Sequence, residues 1–447
     1  MQPVPAKSSH TSETLCVLPW VHLFVDEKGE LFPCCMSRKE PFRNEKGKPI
    51  QVAHNGIDSV WNCSSTRQFR KEFLSGIKPD RCENCWKSES LGMKSFRQIA
   101  NVSFSSVLEE ILENTDREGY APLEFRSIDL RLGNRCNLRC RMCFPDSSRL
   151  LAREYEQLFK DKYSASDSAF DWYRHEKVLS DIIRHSKNLT NLHIAGGEPL
   201  IIQEGFNLLS SLINQGIAKQ IRLSYNTNLT VIPRNAPEIW NHFASTSLIV
   251  SLDGVGSVNS YIRFPSDWSS VIRNLRNLAD QALKNPQLQI SIHTTVQLYN
   301  ILRLTDLFHF LKSIPGIDPF PRLDFVFRPP YLDCRLLPRY LKHLARNRIQ
   351  TYLDSTPDLP KDFSENLQGI LSYLETSATV RFQAEFIRVT RHMDRERGQD
   401  LLEVLPEFRT MFRSPLLNLG AWLSRLKKSF RPIYLQIKSA TQGAISR

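Results

Sequence analysis

Between residues 123 and 350 two kinds of apolar run alternate. The short ones are "SIDLRL", "LTNLHIAG", "QIRLSYN", "SLIVSLDG", "LQISIHTTV" and "LDFVFR", rich in Leu, Ile and Val and bounded by turn residues. Between them lie patterns such as "GFNLLSSLINQG" and "DWSSVIRNLRNLADQAL", whose apolar residues recur three and four apart, as on one helix face. Six such βα alternations predict a parallel sheet, either doubly wound or rolled into a partial barrel. The charged stretch from Ala152 to Lys187 is too long for one crossover helix and predicts an insertion of two.

The flanks differ. Residues 1–100 have few periodic runs and many turn signals, among them "DEKGELFPCC" and "NEKGKP", and read as a small irregular domain in need of a metal. Residues 101–122 form a helical link around "SSVLEEILENTD", and residues 351–447 are helical in pattern.

Composition changes this picture little, being that of an ordinary globular chain. No apolar leader and no run long enough to span a bilayer is present, so a cytoplasmic location is expected. The net charge of +12 suggests nucleic acid until it is located. From Phe408 onward there are eight Lys or Arg and no acid, leaving +4 for the first 407 residues. In that tail Leu419, Trp422, Leu423, Leu426 and Phe430 fall on one helical face, with Arg425, Lys427 and Lys428 elsewhere. Such a helix suits an anionic membrane, RNA or an acidic partner, or simply packs on its own domain.

The cysteines carry the chemistry. In a reducing compartment, clustered thiols read as metal ligands. Cys136, Cys140 and Cys143, spaced C-x3-C-x2-C, directly follow the first strand pattern and so sit on a loop at its C-terminal end, where parallel α/β sheets place their active sites. Four thiolates normally complete a [4Fe-4S] cluster, so three leave one iron open to a ligand. A zinc knuckle completed by a remote histidine, or three buried thiols, are the alternatives. Cys16, Cys34, Cys82 and Cys85 form a second, complete set, suited equally to tetrahedral zinc or an iron-sulfur cube. Cys35 is a substitute for Cys34, and Cys63 fits neither half.

On these residues the chain resembles the radical S-adenosylmethionine superfamily. The resemblance implies a partial (βα)6 TIM-like barrel with a [4Fe-4S] cluster whose open iron takes S-adenosylmethionine. One electron then cleaves the cofactor to a 5′-deoxyadenosyl radical that abstracts hydrogen from substrate. Met142 stands where the family usually has an aromatic residue. "AGGEPL" matches the family's GGE motif, and implies Gly196, Gly197 and Glu198 at the cofactor's amino group. "SYNTNLT" stands where relatives have Thr-Asn-Gly, with Leu229 in the glycine's place, and offers Asn226 and Asn228 to the ribose. "VSLDG" and the following arginine imply Ser251 and Arg263 at the ribose and carboxylate. Val296 packs on adenine in this scheme. Cys334 is a candidate hydrogen-atom donor, against a buried spectator thiol.

The spacing Cys16-x12-Gly29-x4-Cys34, then Cys82-x2-Cys85, is similar to the twitch domain, a shortened SPASM domain that holds an auxiliary [4Fe-4S] cluster. Here it precedes the barrel. Together these imply a radical enzyme fed by a flavodoxin- or ferredoxin-type donor and acting on a peptide or protein side chain, a sugar-type alcohol or RNA. A non-catalytic zinc-binding or RNA-interaction protein is the competing class.

Overall fold

The computed structural model describes residues 13–90, 92–159, 170–379 and 381–413. The basic tail therefore lies outside the described residues. All six strand patterns form strands, and the N-terminal segment supplies two more. The strands are β1 (His22–Val25), β2 (Leu31–Phe32), β3 (Ser127–Leu132), β4 (Asn191–Gly196), β5 (Arg222–Thr227), β6 (Ser245–Ser251), β7 (Leu288–Val296) and β8 (Arg322–Phe325).

They make one sheet in the order β2-β1-β3-β4-β5-β6-β7-β8. From β1 to β8 every neighbouring pair is parallel, and only β2 runs antiparallel, against β1. Spatial order follows chain order from β3 to β8, with no reversal of direction, so the sheet winds as a barrel does and not as a doubly wound fold. The last six strands are the partial barrel.

The N-terminal segment contributes β1 and β2 to the same sheet. Parallel strands need a crossover, and residues 26–126, between β1 and β3, are that crossover enlarged. It contains β2, the helix Ser64–Leu74, the helix Phe96–Ser103 and the helix Ser105–Glu113. Ser95 and Gln98 form a capping box that starts the helix at Phe96. In the long crossover between β3 and β4, helices form at Ala152–Leu158 and Glu176–Arg184. The helix Trp268–Ala282 starts where "DWSS" predicts, because the Asp267 carboxylate accepts from the backbone N–H groups of Ser269 and Ser270.

Alternation along the strands gives the sheet two unlike faces. Leu23, Ile128, Leu130, Leu192, Ile194, Leu223, Leu248, Val250, Ile290 and Ile292 are buried against helices in one apolar cluster. The other face is polar: His22, Ser127, Asp129, Arg131, His193, Ser224, Ser247 and His293 alternate with those residues. A second apolar cluster joins Cys140, Met142, Val296 and Cys334 to the C-terminal helices Arg339–Ser355, Lys361–Glu375 and Arg381–Arg397. Among the described residues no helix is long and apolar enough to cross a membrane.

Candidate iron-sulfur and cofactor site

The three-cysteine loop leaves β3 at Leu132 and is pinned at many points. Asn134, fully buried, donates to the Pro145 carbonyl at 2.8 Å, and Ser148 Oγ to the Leu138 carbonyl at 2.7 Å. Tyr155 Oη donates to the Cys143 carbonyl at 2.8 Å. The Cys143 N–H closes a turn onto the Cys140 carbonyl at 3.1 Å, which brings those two thiols into hydrogen-bonding contact. Burial, reinforced by Cys140, pushes the Cys136 thiol up to about 12. The hydrogen-bonded neighbour and burial hold the Cys143 thiol well above the ordinary range. Three sulfurs carried by one loop, the last two in contact, are cysteine donors of the kind a metal cluster takes as thiolates. That donor chemistry fits a cluster bound through three sulfurs.

The tips of β4, β5 and β6 close around this loop. A Cβ on Gly197 would stand 2.2 Å from the Arg135 carbonyl oxygen, and one on Gly196, at φ +119°, 2.8 Å from that of Gly133. The N–H groups of Gly197 and Glu198 donate to those same carbonyls at 3.0 and 2.9 Å. The two glycines thus let β4 lie against the cysteine loop itself, a role the sequence did not reveal. Glu198, 1% exposed, accepts from the Asn228 N–H at 2.7 Å, Thr227 Oγ1 at 2.8 Å and the Leu200 N–H at 3.2 Å. Burial pushes its carboxyl up to about 7, against the pull of those three donors.

Asn228 donates to Asn137 Oδ1 at 2.9 Å and reaches Cys136 Sγ at 3.9 Å. Leu229, at the position where relatives have glycine, is fully buried with φ +57°, the one non-glycine residue in the left-handed region among those described. Arg263 is buried beside Cys140 and Cys143, yet its charge is already paired with Asp253 at 2.8 Å. Asn226, Ser251 and Val296 lie at or near the C-terminal ends of β5, β6 and β7. Val296 is buried in the apolar cluster, as is Cys334, whose thiol burial raises to about 12.

The second set also assembles. Cys16, Cys34, Cys82 and Cys85 line one small cavity, together with Leu18, Met36, Phe96 and Arg97. Burial raises the thiols of Cys16, Cys34 and Cys82, the last to about 12. Their sulfurs border a space: among the described residues no three His, Cys, Asp or Glu side chains converge as they would on one ion. Cys35 is not among the residues lining that cavity, and the charges of Asp129 and Arg131 of β3 act on its thiol. Cys63 hydrogen-bonds Ser65 and Thr66 and stays apart from the cavity.

Residues 130–311 match the model of the radical SAM superfamily, and residues 16–86 that of an iron-sulfur cluster-binding domain of the SPASM type. Among solved structures, anSMEcpe with bound AdoMet is similar at 16% identity and TM-score 0.37, over 61% of this chain and 67% of that one. SuiB of Streptococcus suis bound to its precursor peptide SuiA is similar at 12% identity and TM-score 0.30, over 64% of this chain and 63% of that one.

Proposed function

We propose, from a chain that belongs to the radical SAM superfamily and carries an iron-sulfur cluster-binding domain ahead of its barrel, that the protein oxidises or modifies a peptide or protein side chain. One observation carries the reading. A three-thiol loop and a four-thiol cavity are built on a single sheet, the first with a vacancy and the second complete.

Cys136, Cys140 and Cys143 would hold a [4Fe-4S] cluster that with S-adenosylmethionine would supply hydrogen-atom abstraction, and Cys16, Cys34, Cys82 and Cys85 would hold a second cluster that would supply electron acceptance. A flavodoxin- or ferredoxin-type protein is the proposed donor. The chain's own residues do the positioning. Gly196, Gly197 and Glu198 clamp the cysteine loop to β4 and β5, Asn228 reaches the first thiol, and the Arg263–Asp253 pair lies beside the other two. Asn226, Ser251 and Val296 stand at the strand tips where ribose and adenine are expected.

A cavity of about 380 Å³ opens beside the third cysteine, lined by Phe144, Tyr155, Phe159, Phe327, Tyr331 and Phe382, with Arg328 and Glu385. It is within the size range of ligand pockets. Its aromatic walls suit an apolar side chain of a peptide better than a hydroxyl-rich sugar. A sugar-type alcohol is the second reading, favoured by the polar sheet face with Asp129, His193 and Ser224.

The test is anaerobic metal analysis of the reconstituted chain, followed by reduction with S-adenosylmethionine present. About eight irons per chain and release of 5′-deoxyadenosine are expected, with Cys136→Ala and Cys82→Ala each losing about half the iron. One or two zincs and no cleavage would sink the proposal in favour of a structural metal protein. Deuterium carried from labelled peptides, but not labelled sugars, into 5′-deoxyadenosine would decide between substrates.

A further inference from the structure

Both family matches end at or before residue 311, yet the cysteine loop is gripped from behind by residues between 394 and 401. Arg141, which lies between Cys140 and Cys143, is 0% exposed. Its guanidinium donates to Asp394 Oδ1 at 2.6 Å, to Gln399 Oε1 at 2.9 Å and to the Tyr261 carbonyl at 2.9 Å, and it stacks on the Tyr261 ring at 3.6 Å. Asp394 is held in turn by Tyr261 Oη at 2.7 Å and the Leu401 N–H at 3.1 Å.

A second grip is parallel to the first. Arg397 pairs with Glu154 through two hydrogen bonds of 3.1 and 2.6 Å, and Glu154 also accepts from Arg139, one residue before Cys140, at 2.9 Å. The backbone N–H groups of Arg139 and Arg141 meanwhile donate to the Phe264 and Ile262 carbonyls. Around the loop, Arg139 and Arg397 pair with Glu154, Arg141 with Asp394 and Arg263 with Asp253. A buried guanidinium keeps its place only while its counter-charge does.

We propose that Asp394 and Arg397, on the C-terminal helix Arg381–Arg397, are positioning residues for the cluster loop, so that the region beyond the barrel is a working part of the iron site. Asp394 acts through Arg141 and fixes the spacing of Cys140 and Cys143. Arg397 acts through Glu154 and Arg139 and fixes the approach to Cys140. The inference rests on the reading of Cys136, Cys140 and Cys143 as a cluster set.

The test uses the full chain, reconstituted anaerobically, as wild type, Asp394→Asn, Asp394→Glu, Gln399→Ala and Cys136→Ala. Cluster loss to a chelator is followed by absorbance, and the reduced cluster's paramagnetic spectrum is recorded with and without S-adenosylmethionine. Outer partners of metal ligands change metal retention by about tenfold or more. Asp394→Asn should therefore release the iron that Cys136→Ala lacks about tenfold faster, and lose the spectral response to S-adenosylmethionine. The iron of the N-terminal set should leave at the wild-type rate, and Asp394→Glu should recover most of the difference.

A role in folding alone would speed both losses together without rescue by glutamate, and that result overturns the proposal. So does an Asp394→Asn protein with unchanged release and response. If Asp394→Asn does not fold, Gln399→Ala, which removes one hydrogen bond from the same guanidinium, decides: faster release at the three-cysteine site supports the proposal and wild-type release refutes it. Cys136→Ala with full iron would overturn the cluster reading itself, a different failure from an unchanged Asp394→Asn beside an iron-poor Cys136→Ala.

Discussion

Above its raised value of about 7, where Glu198 carries its charge, replacing it by glutamine keeps the side chain's shape and removes that charge. All three of its neighbours present hydrogens to the carboxylate: the Asn228 N–H, Thr227 Oγ1 and the Leu200 N–H. A glutamine has only one acceptor oxygen, so its NH₂ must face a donor in either orientation. The less costly one turns the oxygen towards Asn228, at 2.7 Å the shortest contact, and the NH₂ towards Thr227 and Leu200. There the threonine hydroxyl can rotate to accept, although Thr227 Oγ1 already accepts from the Leu229 N–H at 3.0 Å. The Leu200 N–H is left without a partner.

Losing a hydrogen bond to a buried charge costs about 1.5–3 kcal/mol, and an unsatisfied buried donor about 1–3 kcal/mol. These overlap, since one site bears both, so about 2 kcal/mol is the expected local loss. At about 1.4 kcal/mol per decade, protection of the Asn228 and Leu200 amides should fall about thirtyfold. Hydrogen exchange read by mass spectrometry on peptides spanning 197–203 and 224–231, at matched pH, measures this directly. Exchange within twofold of wild type in both peptides would refute the account of Glu198 as the tie between β4 and β5. Weaker S-adenosylmethionine binding should accompany faster exchange, because the same tie sets Asn228 against Cys136.

Leu229→Gly relieves a left-handed backbone worth about 1–2 kcal/mol but empties a fully buried leucine site, which costs about 2–5 kcal/mol; the second effect wins, and thermal melts should show a less stable protein. Cys34→Ala should lose the N-terminal iron while Cys35→Ala retains it, measured as iron per chain, because only Cys34 lines the cavity. Burial lowers His22 and His193 from 6.5 to about 4. The unfolded chain therefore takes up protons that the folded one refuses as pH falls from 6.5 towards 4, and stability is lost across that window. Thermal melts above and below the window should show a smaller drop for His193→Asn than for wild type.

The barrel was legible because its signals are local. Each strand pattern buries one face, and Asp267 caps its own helix two and three residues on. What escaped the sequence depends on residues far apart in the chain. β1 and β2 are four and two residues long, too short for a period to register, and β1 pairs with a strand a hundred positions later. Gly196 and Gly197 carry a recognisable motif, but the carbonyls they accommodate belong to Gly133 and Arg135. Asp394 and Arg397 lie in "MDRERGQD", a segment whose sequence resembles the same group of radical S-adenosylmethionine proteins; only the fold brings them to Arg141 and Glu154.

The pairing of β1 with β3 explains how an iron-sulfur domain can precede the barrel and still serve it. In a chain whose strands are laid down in order, the edge beside β3 is the one open to a preceding segment. β1 takes that edge in parallel, with His22 opposite Ser127 and Val25 opposite Leu130. Cys16 lies six residues before β1, and Cys34 two residues after β2, so both are anchored to the strand that ends at the three-cysteine loop. Ladder hydrogen bonds, and not the flexible reach of a linker, then set the separation of the two thiol sets. A fixed separation is what electron transfer between two clusters requires. Disrupting the edge pairing, with Leu23→Pro removing one ladder donor, should therefore uncouple the two sets, leaving reductive cleavage of S-adenosylmethionine in place while substrate oxidation fails.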